Sequence, residues 1–124
     1  METEKKLVVM VDDSPVALQS VMNALSAYYR VATVPSAVKL FELLENNTPD
    51  IILLDIDMPE IDGYQLIQVL KFRPNTKDIP VIFLTGRTEQ NAELKGLQLG
   101  AVDYIKKPFL PSDLLQRIEQ NLSK

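Results

Sequence analysis

Residues 7–25, LVVMVDDSPVALQSVMNAL, contain the pattern that decides the fold of this chain. The first five of these residues are all apolar, which is typical of a buried strand, and two acidic residues follow them directly. Apolar residues then recur at positions 18, 21, 22 and 25, the i, i+3, i+4, i+7 spacing of an amphipathic helix. Ser14 and Pro15 supply an N-cap and a first helical residue. The stretch therefore predicts one strand followed by one helix.

The same alternation continues to the end of the chain. Further apolar runs predict strands at 29–34, 51–54, 81–84 and 102–105. Further helical patterns predict helices at 37–44 (capped by Ser36), 63–72 (after the turn at Asp62), 89–99 and 111–122. Nearly continuous apolar strands joined by helices favour a parallel sheet covered on both faces, with right-handed crossovers. Leu110 is a poor N-cap for the last helix, so Ser112 or Asp113 is expected to serve instead.

Length, charge and missing residue types limit the function classes. The chain has 124 residues, which suits one domain, and a net charge of −4 with no basic stripe, so direct nucleic-acid binding is not expected. It contains no Cys and no His, which excludes Ser-His-Asp triads, Cys nucleophiles and Cys/His zinc clusters. The first apolar run is too short for a signal peptide or a membrane span, so the prediction is a cytoplasmic protein without a membrane partner.

The chemically useful side chains follow the predicted strands. Four separate strand ends carry them: Asp12 and Asp13 follow the first predicted strand, Asp55 and Asp57 the third, Thr85 the fourth and Lys107 the fifth. Ligands of open α/β sheets bind beyond the carboxyl ends of the strands, so these groups are expected to lie together. Clustered carboxylates repel each other unless a hard divalent cation joins them, and oxygen ligands suit Mg²⁺, with Mn²⁺ or Ca²⁺ as alternatives. A carboxylate beside such a cation can attack phosphorus and form an acyl phosphate.

These motifs resemble, along essentially the whole chain, the receiver domain of two-component response regulators. The residues that carry the resemblance are Asp12-Asp13, Asp55 with Met58-Pro59 and Asp62-Gly63, Thr85, and Tyr104 with Lys107-Pro108-Phe109. The resemblance implies a flavodoxin-like (βα)5 doubly wound sandwich, with a five-stranded parallel sheet in the order 2-1-3-4-5 and helices on both faces. It also implies a phospho-acceptor signalling domain that catalyses only its own phosphorylation and dephosphorylation.

The resemblance assigns a role to each site residue. Asp55 would accept the phosphoryl group as 4-aspartylphosphate and would also ligate Mg²⁺. Asp13 would ligate the ion directly, Asp12 mainly through water, and Asp57 through its backbone carbonyl. Lys107 would pair with the phosphoryl group, and the Lys107-Pro108 bond would be cis, although most bonds to proline are trans. Thr85 and Tyr104 would act as switch residues, Thr85 by moving toward the phosphoryl group and Tyr104 by turning inward.

Three residues depart from the usual family pattern and are candidates for tuning. Asp57 stands where many receivers have a neutral or basic residue, Gly86 where Ala is common, and Arg87 two positions after Thr85. We expect Asp57 and Arg87 to form an ion pair across the entrance to Asp55 and to tune the lifetime of the phosphoryl group. The sequence leaves the sign open, because the Asp57 carboxylate could either orient an attacking water or repel it.

Two other functions stay open at this point. An Asp-x-Asp at 55–57 and a Leu-Thr-Gly at 84–86 are also found in haloacid-dehalogenase-like phosphatases, although there the acidic pair follows the Asp-x-Asp motif instead of preceding it. A receiver that binds partners without being phosphorylated is the second alternative. Single residues also have purely structural interpretations. Thr85 could be a helix cap, Tyr104 could pack within its strand, and Lys106 is interpreted as a solvated surface residue.

The domain and partner expectations follow from the same resemblance. Residues 1–124 are predicted to be a single receiver domain, either a stand-alone protein or the first domain of a longer regulator. The donor would be a phosphohistidine on a sensor histidine kinase or a phosphotransfer protein, which fits a chain without His. Phosphorylation would switch the face formed by helix 4, strand 5 and helix 5 toward a downstream output domain or protein, with homodimerisation on phosphorylation as a further alternative.

Overall fold

The computed structural model describes residues 5–87, 89 and 91–123, and within them five strands and five helices alternate. The strands are β1 (Leu7–Val11), β2 (Arg30–Val34), β3 (Ile51–Leu54), β4 (Val81–Thr85) and β5 (Asp103–Lys106). The helices are α1 (Pro15–Leu25), α2 (Ala37–Leu44), α3 (Gly63–Phe72), α4 (Ala92–Gln98) and α5 (Pro111–Leu122).

The strands form one parallel sheet, as the sequence pattern predicted, and their order is β2-β1-β3-β4-β5, as the family resemblance implied. Alternate strand residues point to opposite faces, so each face has its own apolar core. On one face, Val8 and Met10 of β1 pack with apolar residues of α1 and α5. On the other face, Val9 and Val11 pack with those of α2, α3 and α4. Burial on both faces explains why β1, β3 and β4 read as continuous apolar runs.

Three of the helices begin directly after the residues that the sequence indicated as their starts. The Ser14 hydroxyl accepts a hydrogen bond from the Ala17 amide and caps α1, and Ser36 caps α2 in the same way. Asp62 caps α3 in a capping box. The backbone amide of Gln65 donates to the Asp62 carboxylate, and the backbone amide of Asp62 donates to the side-chain oxygen of Gln65.

The fourth and fifth helices begin differently from the expectation. Leu110 is the N-cap of α5 and makes no side-chain capping bond to a described residue. The expected caps Ser112 and Asp113 are wrong, because Pro111 already begins the helix and places both of them inside its first turn. Helix α4 starts at Ala92 and not at Glu89, because a turn in which the Ala92 amide donates to the Glu89 carbonyl precedes it. The predicted segment at 89–99 includes Gln90, which lies outside the described residues.

Strands β2, β4 and β5 also differ from the prediction by one residue at one or both ends, and β4 extends to Thr85. Tyr29 still donates its amide to the Leu25 carbonyl at the end of α1, so β2 begins at Arg30, whose amide bonds to the Lys6 carbonyl. Strand β5 begins at Asp103 and not at Val102, and it includes Lys106 because that residue pairs with Thr85 of β4. These shifts leave all the predicted strand exits at the carboxyl edge of the sheet.

No helix in the described part of the chain combines the length and the apolar character needed to cross a membrane.

Candidate functional site at the carboxyl edge of the sheet

Backbone hydrogen bonds hold the strand-end residues in place. Asp12 follows β1 and donates its amide to the Val34 carbonyl of β2. Asp55 follows the central strand β3 and donates its amide to the Val11 carbonyl. These bonds continue the parallel ladder by one residue past the end of each strand, so the backbone that carries each carboxyl group is held in place. Asp12 and Asp55 are buried, with 1% and 6% of their surface exposed, whereas Asp13 is exposed at the mouth of the site.

Three carboxyl groups lie close together at the carboxyl edge of the sheet. Asp12, Asp13 and Asp55 each offer an oxygen atom, and these atoms lie within 4.8 Å of one another. Oδ1 of Asp12 accepts the Ser14 amide at 2.9 Å. Oδ1 of Asp55 accepts the amide of Ile56, the next residue, at 2.9 Å. The predicted gathering is therefore confirmed for these three residues, and their oxygen-only chemistry fits a hard divalent cation. The side chain of Asp57, which was expected with them, is not part of this group, because it is exposed and bonds to Arg87 instead.

Burial raises the pKa of the Asp55 carboxyl, and the negative charge of Asp12 raises it further. The neighbouring Thr85 side chain, the Lys107 ammonium and the Ile56 amide oppose this shift. A buried carboxylate next to a second carboxylate is under charge repulsion. The site is therefore set up to favour positive charge close to Asp55.

Lys107 provides such a charge. Its Nζ donates to Oδ2 of Asp12 at 2.5 Å and lies 4.0 Å from Oδ2 of Asp55. The sequence predicted that Lys107 faces the acceptor site, and the structure places it between the two buried carboxyl groups. The Lys107-Pro108 peptide bond is cis, as the family resemblance implied. Lys106 is exposed, in agreement with its interpretation as a surface residue.

Thr85 and Tyr104 lie next to the site, on β4 and β5. Thr85 is fully buried at the end of β4, and because α4 starts only at Ala92, its interpretation as a cap of that helix is wrong. The Tyr104 ring already lies inward and is 4% exposed, with its hydroxyl donating to the Arg87 carbonyl at 3.1 Å. Burial is the main cause that raises the pKa of Tyr104 to about 12.

The predicted ion pair of Asp57 and Arg87 is present. Nε and Nη2 of Arg87 donate to Oδ1 of Asp57 at 2.9 and 2.7 Å, and Nη1 lies 3.4 Å from Oε1 of Glu89. The hydrogen bond with Asp57 is the largest cause that raises the pKa of Arg87. The pair joins the loop after β3 to the loop after β4, two residues beyond Asp55 and Thr85. Gly86 lies in the second loop, where an added Cβ would meet no described atom within 4 Å.

Two contacts near the site were not foreseen from the sequence. Gly63 was interpreted as part of a turn, but it lies so close to the Asp55 backbone that an added Cβ would be 2.3 Å from the Asp55 carbonyl oxygen. Tyr64 was not singled out, although its hydroxyl reaches the Ala92 carbonyl of α4 at 3.3 Å. The close contact of Gly63 could have been suspected from the sequence, because glycine at the start of a helix suggests close packing. Nothing in the sequence indicates the contact of Tyr64 with α4.

The fold and the site together define an α/β domain with an acidic site at the carboxyl edge of a doubly wound sheet. The family model described as "Response regulator receiver domain" matches residues 8–119. The chain therefore belongs to the response regulator receiver domain family. As a member of that family it is a phospho-acceptor signalling domain of two-component systems, which confirms the resemblance and sets aside the phosphatase interpretation.

Named relatives and solved structures agree with this assignment. The chain is 41% identical over 115 residues to a Vibrio cholerae protein named "Probable cyclic di-GMP phosphodiesterase", covering 93% of this chain and 26% of that protein. It is 42% identical over 96 residues to response regulator SaeR of Staphylococcus aureus, covering 77% of this chain and 41% of that protein. The chain thus spans less than half the length of these relatives.

The solved structures confirm the fold class. The BeF3-activated receiver domain of DrrB, from Thermotoga maritima, matches with a TM-score of 0.85 and 30% identity, covering 98% of this chain and all of that one. The chemotaxis protein CheY4 of Vibrio cholerae matches with a TM-score of 0.86 and 27% identity, covering 94% and 98% of the two chains.

Proposed function

We propose that Asp55 is the phospho-acceptor, and that it takes its phosphoryl group from a phosphohistidine on a sensor histidine kinase or a phosphotransfer protein. The observation that carries this proposal is the position of its carboxyl group. Asp55 is buried at the end of the central strand, with Oδ1 held by the Ile56 amide and Oδ2 facing Lys107 at 4.0 Å. Oδ2 is therefore the oxygen that would attack phosphorus.

In the transfer, an O–P bond would form at Asp55 while the N–P bond of the donor breaks, and a donor ring that carries a proton on its other nitrogen would leave as neutral imidazole. Lys107 would turn from Asp12 toward the phosphoryl oxygens, which carry more negative charge than a carboxylate. The Thr85 hydroxyl would donate to another of these oxygens. Hydrolysis by water would later return Asp55 to its free carboxylate.

The acidic cluster fits Mg²⁺, with Mn²⁺ as an alternative, and the proposed ligands are Asp12, Asp13, Asp55 and the backbone carbonyl of Asp57. Asp12 would act mainly through a water molecule, because both of its oxygens already accept hydrogen bonds. A bound ion would balance the charge of the carboxylates and of the phosphoryl oxygens.

The acceptor assignment can be tested by mass spectrometry after incubation with acetyl phosphate and Mg²⁺. We expect one added phosphoryl group on the unaltered chain and none on Asp55→Asn. Asp78→Asn is the matched control, because Asp78 is exposed and precedes β4 at the other edge of the sheet. A phosphoryl group on Asp55→Asn, or none on the unaltered chain, would contradict the assignment.

The ion pair of Asp57 and Arg87 is proposed to lengthen the life of the phosphoryl group. Nε and Nη2 of Arg87 both donate to Oδ1 of Asp57, which fixes the side chain and offsets its negative charge, so Asp57 is a weaker base for orienting a water molecule toward Asp55. We expect Arg87→Ala to dephosphorylate several-fold faster, and the double variant with Asp57→Asn to return to a slow rate. Arg73→Ala is the matched control and should leave the rate unchanged, because Arg73 is exposed and lies at the carboxyl end of α3, away from the strand ends that form the site. Equal rates in all four proteins would refute this role.

The output is proposed to leave through the face formed by α4, β5 and α5. Thr85 and Tyr104 connect the acceptor to this face, because Tyr104 lies on β5 and bonds to the loop that leads into α4. Leu94 and Leu97 of α4 are exposed there, and Arg117 of α5 pairs with Asp103 of β5 at 2.7 Å. The partner would be an output domain or a separate protein, with a second copy of this chain as the alternative. Light scattering with and without acetyl phosphate separates the two, since only the alternative doubles the mass.

The proposed setting is a single receiver domain over residues 1–124, acting in the cytoplasm, where kinases supply phosphohistidine. Both a stand-alone receiver and the first domain of a longer regulator are consistent with the longer relatives, whose names are a phosphodiesterase and a response regulator. The proposal requires neither direct nucleic-acid binding by this domain nor a membrane partner.

A further inference from the structure

A row of three aromatic rings lies beneath α4. The Tyr64 and Phe83 rings meet edge to face with centroids 5.7 Å apart, and Phe83 and Tyr104 are 6.2 Å apart. Gly96 of α4 rests on this row so closely that an added Cβ would lie 2.8 Å from Cδ2 of Phe83. Helix α4 is therefore seated on aromatic side chains that come from α3, β4 and β5.

Tyr64 holds α4 from the α3 side by two further contacts. Its hydroxyl donates to the carbonyl of Ala92, the first residue of α4, at 3.3 Å. Nζ of Lys95, one turn later, lies 4.3 Å above the centre of its ring. Asn91 makes no side-chain capping bond to a described residue at the start of α4. Tyr64 thus makes contacts that can set the position of a short helix whose start has no side-chain cap among the described residues.

The start of α3 is itself packed directly on the acceptor residue. The Gly63 amide donates to the Ile56 carbonyl at 2.8 Å. An added Cβ on Gly63 would lie 2.3 Å from the Asp55 carbonyl oxygen and 2.8 Å from Cα of Ile56. Such close contact between two backbones leaves no slack, so a movement of the chain at Asp55 and Ile56 must move Gly63 as well.

We propose that Tyr64 is a positioning residue that couples Asp55 to α4 by a second route, separate from Thr85 and Tyr104. The route runs from the Asp55 backbone to Gly63, through the Tyr64 hydroxyl and ring, to Ala92 and Lys95. The proposal rests on Asp55 being the phospho-acceptor. A phosphoryl group there adds bulk and charge beside the carboxyl terminus of β3, and the rigid contact at Gly63 passes the resulting backbone shift to Tyr64.

The two routes have different hydrogen bonds, so they can be separated by removing one hydroxyl at a time. Tyr64→Phe keeps the ring on Phe83 and loses the bond to Ala92. Tyr104→Phe keeps its ring and loses the bond to Arg87. Lys95→Met keeps a long side chain over the ring and loses its charge. Tyr28→Phe is the matched control, because Tyr28 is 61% exposed.

The readout is the change in the amide NMR signal of Gly96 on phosphorylation by acetyl phosphate, with the added mass measured on the same samples. We expect every protein to carry the phosphoryl group. Tyr28→Phe should show the full change at Gly96, Tyr64→Phe and Lys95→Met at most half of it, and the double variant Tyr64→Phe, Tyr104→Phe less than either single variant.

The outcomes separate the two proposals. An unaltered chain that gains no mass would overturn the acceptor role of Asp55 and, with it, this coupling. A phosphorylated Tyr64→Phe protein with the full change at Gly96 would overturn the coupling alone. So would a double variant that behaves as Tyr104→Phe does. A merely structural role of the Tyr64 hydroxyl would lower the melting temperature without changing the response at Gly96, and that result also overturns the coupling.

Discussion

Replacing Gly63 by alanine tests how tightly α3 is packed on the acceptor residue. Gly63 is helical and its φ is not in the left-handed region, so alanine suits its backbone. The new Cβ would lie 2.3 Å from the Asp55 carbonyl oxygen and 3.0 Å from the Asp55 carbonyl carbon. These are backbone atoms at the end of a central strand, so they cannot turn away as a flexible side chain would. The start of α3 has to move outward instead.

The expected cost follows from two opposing effects. Overpacking a tight site costs roughly 1–3 kcal/mol, and more where the neighbour is backbone. Alanine regains up to about 1 kcal/mol of helix propensity over glycine, and less at a first helical position. We therefore expect Gly63→Ala to lower the free energy of unfolding by about 2–3 kcal/mol. For a chain of this length, unfolding entropies per residue convert this into a melting temperature lower by roughly 8–12 °C.

Urea unfolding followed by circular dichroism measures the loss, and Gly86→Ala is the matched control. An added Cβ at Gly86 meets no described atom within 4 Å, so that variant should stay within about 0.5 kcal/mol of the unaltered chain. Phosphorylation of Gly63→Ala by acetyl phosphate, below its melting temperature, should be about 10–100-fold slower, because the acceptor backbone is displaced. A Gly63→Ala protein as stable as the unaltered chain, or an equal loss in both glycine variants, would refute the reasoning.

Three further predictions follow from the site and its support. Without divalent cations, Asp55→Asn should be more stable than the unaltered chain at neutral pH, because burial and the charge of Asp12 raise the pKa of the Asp55 carboxyl. Because the pKa of Asp55 is raised in the folded chain, the stability that this carboxyl contributes is fully present below its ordinary pKa and is lost as pH rises through the raised value. The difference in the free energy of unfolding between Asp55→Asn and the unaltered chain should therefore close on acidification. Urea unfolding over a pH series checks this, and a constant gap would contradict it. Asp62→Ala should lose about 1 kcal/mol, because the Gln65 backbone amide loses the Asp62 carboxylate as its acceptor, whereas the bond from the backbone amide of residue 62 to the Gln65 side chain can remain; calorimetry measures the loss, and an unchanged melting temperature would refute it. Because burial raises the pKa of Tyr104 to about 12, the unaltered chain should lose stability as pH rises from 10 through that value, and Tyr104→Phe should lose less; identical alkaline unfolding curves would argue against this.

Much of the fold could be predicted because the strands are long apolar runs with acidic or polar ends. β1 and β3 have every residue buried, so no competing interpretation existed for them. Predictions were weaker where burial is partial. Arg30 and the middle of β2 are exposed or half-buried, and β5 begins one residue later than expected. The start of α4 was missed because no side-chain cap marks it among the described residues.

The candidate site could be predicted as a set of residues but not as an arrangement. Asp12, Asp13 and Asp55 were expected together because parallel strands end at one edge. The position of the Lys107 ammonium among these carboxyl groups was not expected. The structure places this ammonium between Asp12 and Asp55. The ion pair of Asp57 and Arg87 was expected because both residues depart from the usual pattern of the family and both flank the entrance to Asp55.

The sequence by itself determined the alternation of strands and helices, the parallel sheet, the absence of His and Cys chemistry, and the residue types at each strand end. These depend on local pattern and on the geometry common to all parallel sheets. Only the tertiary structure decided that Gly63 packs on the Asp55 backbone, that Tyr64 reaches α4, and that Tyr104 bonds to Arg87. Such contacts join residues from different elements at distances of a few ångströms, and no periodicity along the chain encodes how closely two elements approach.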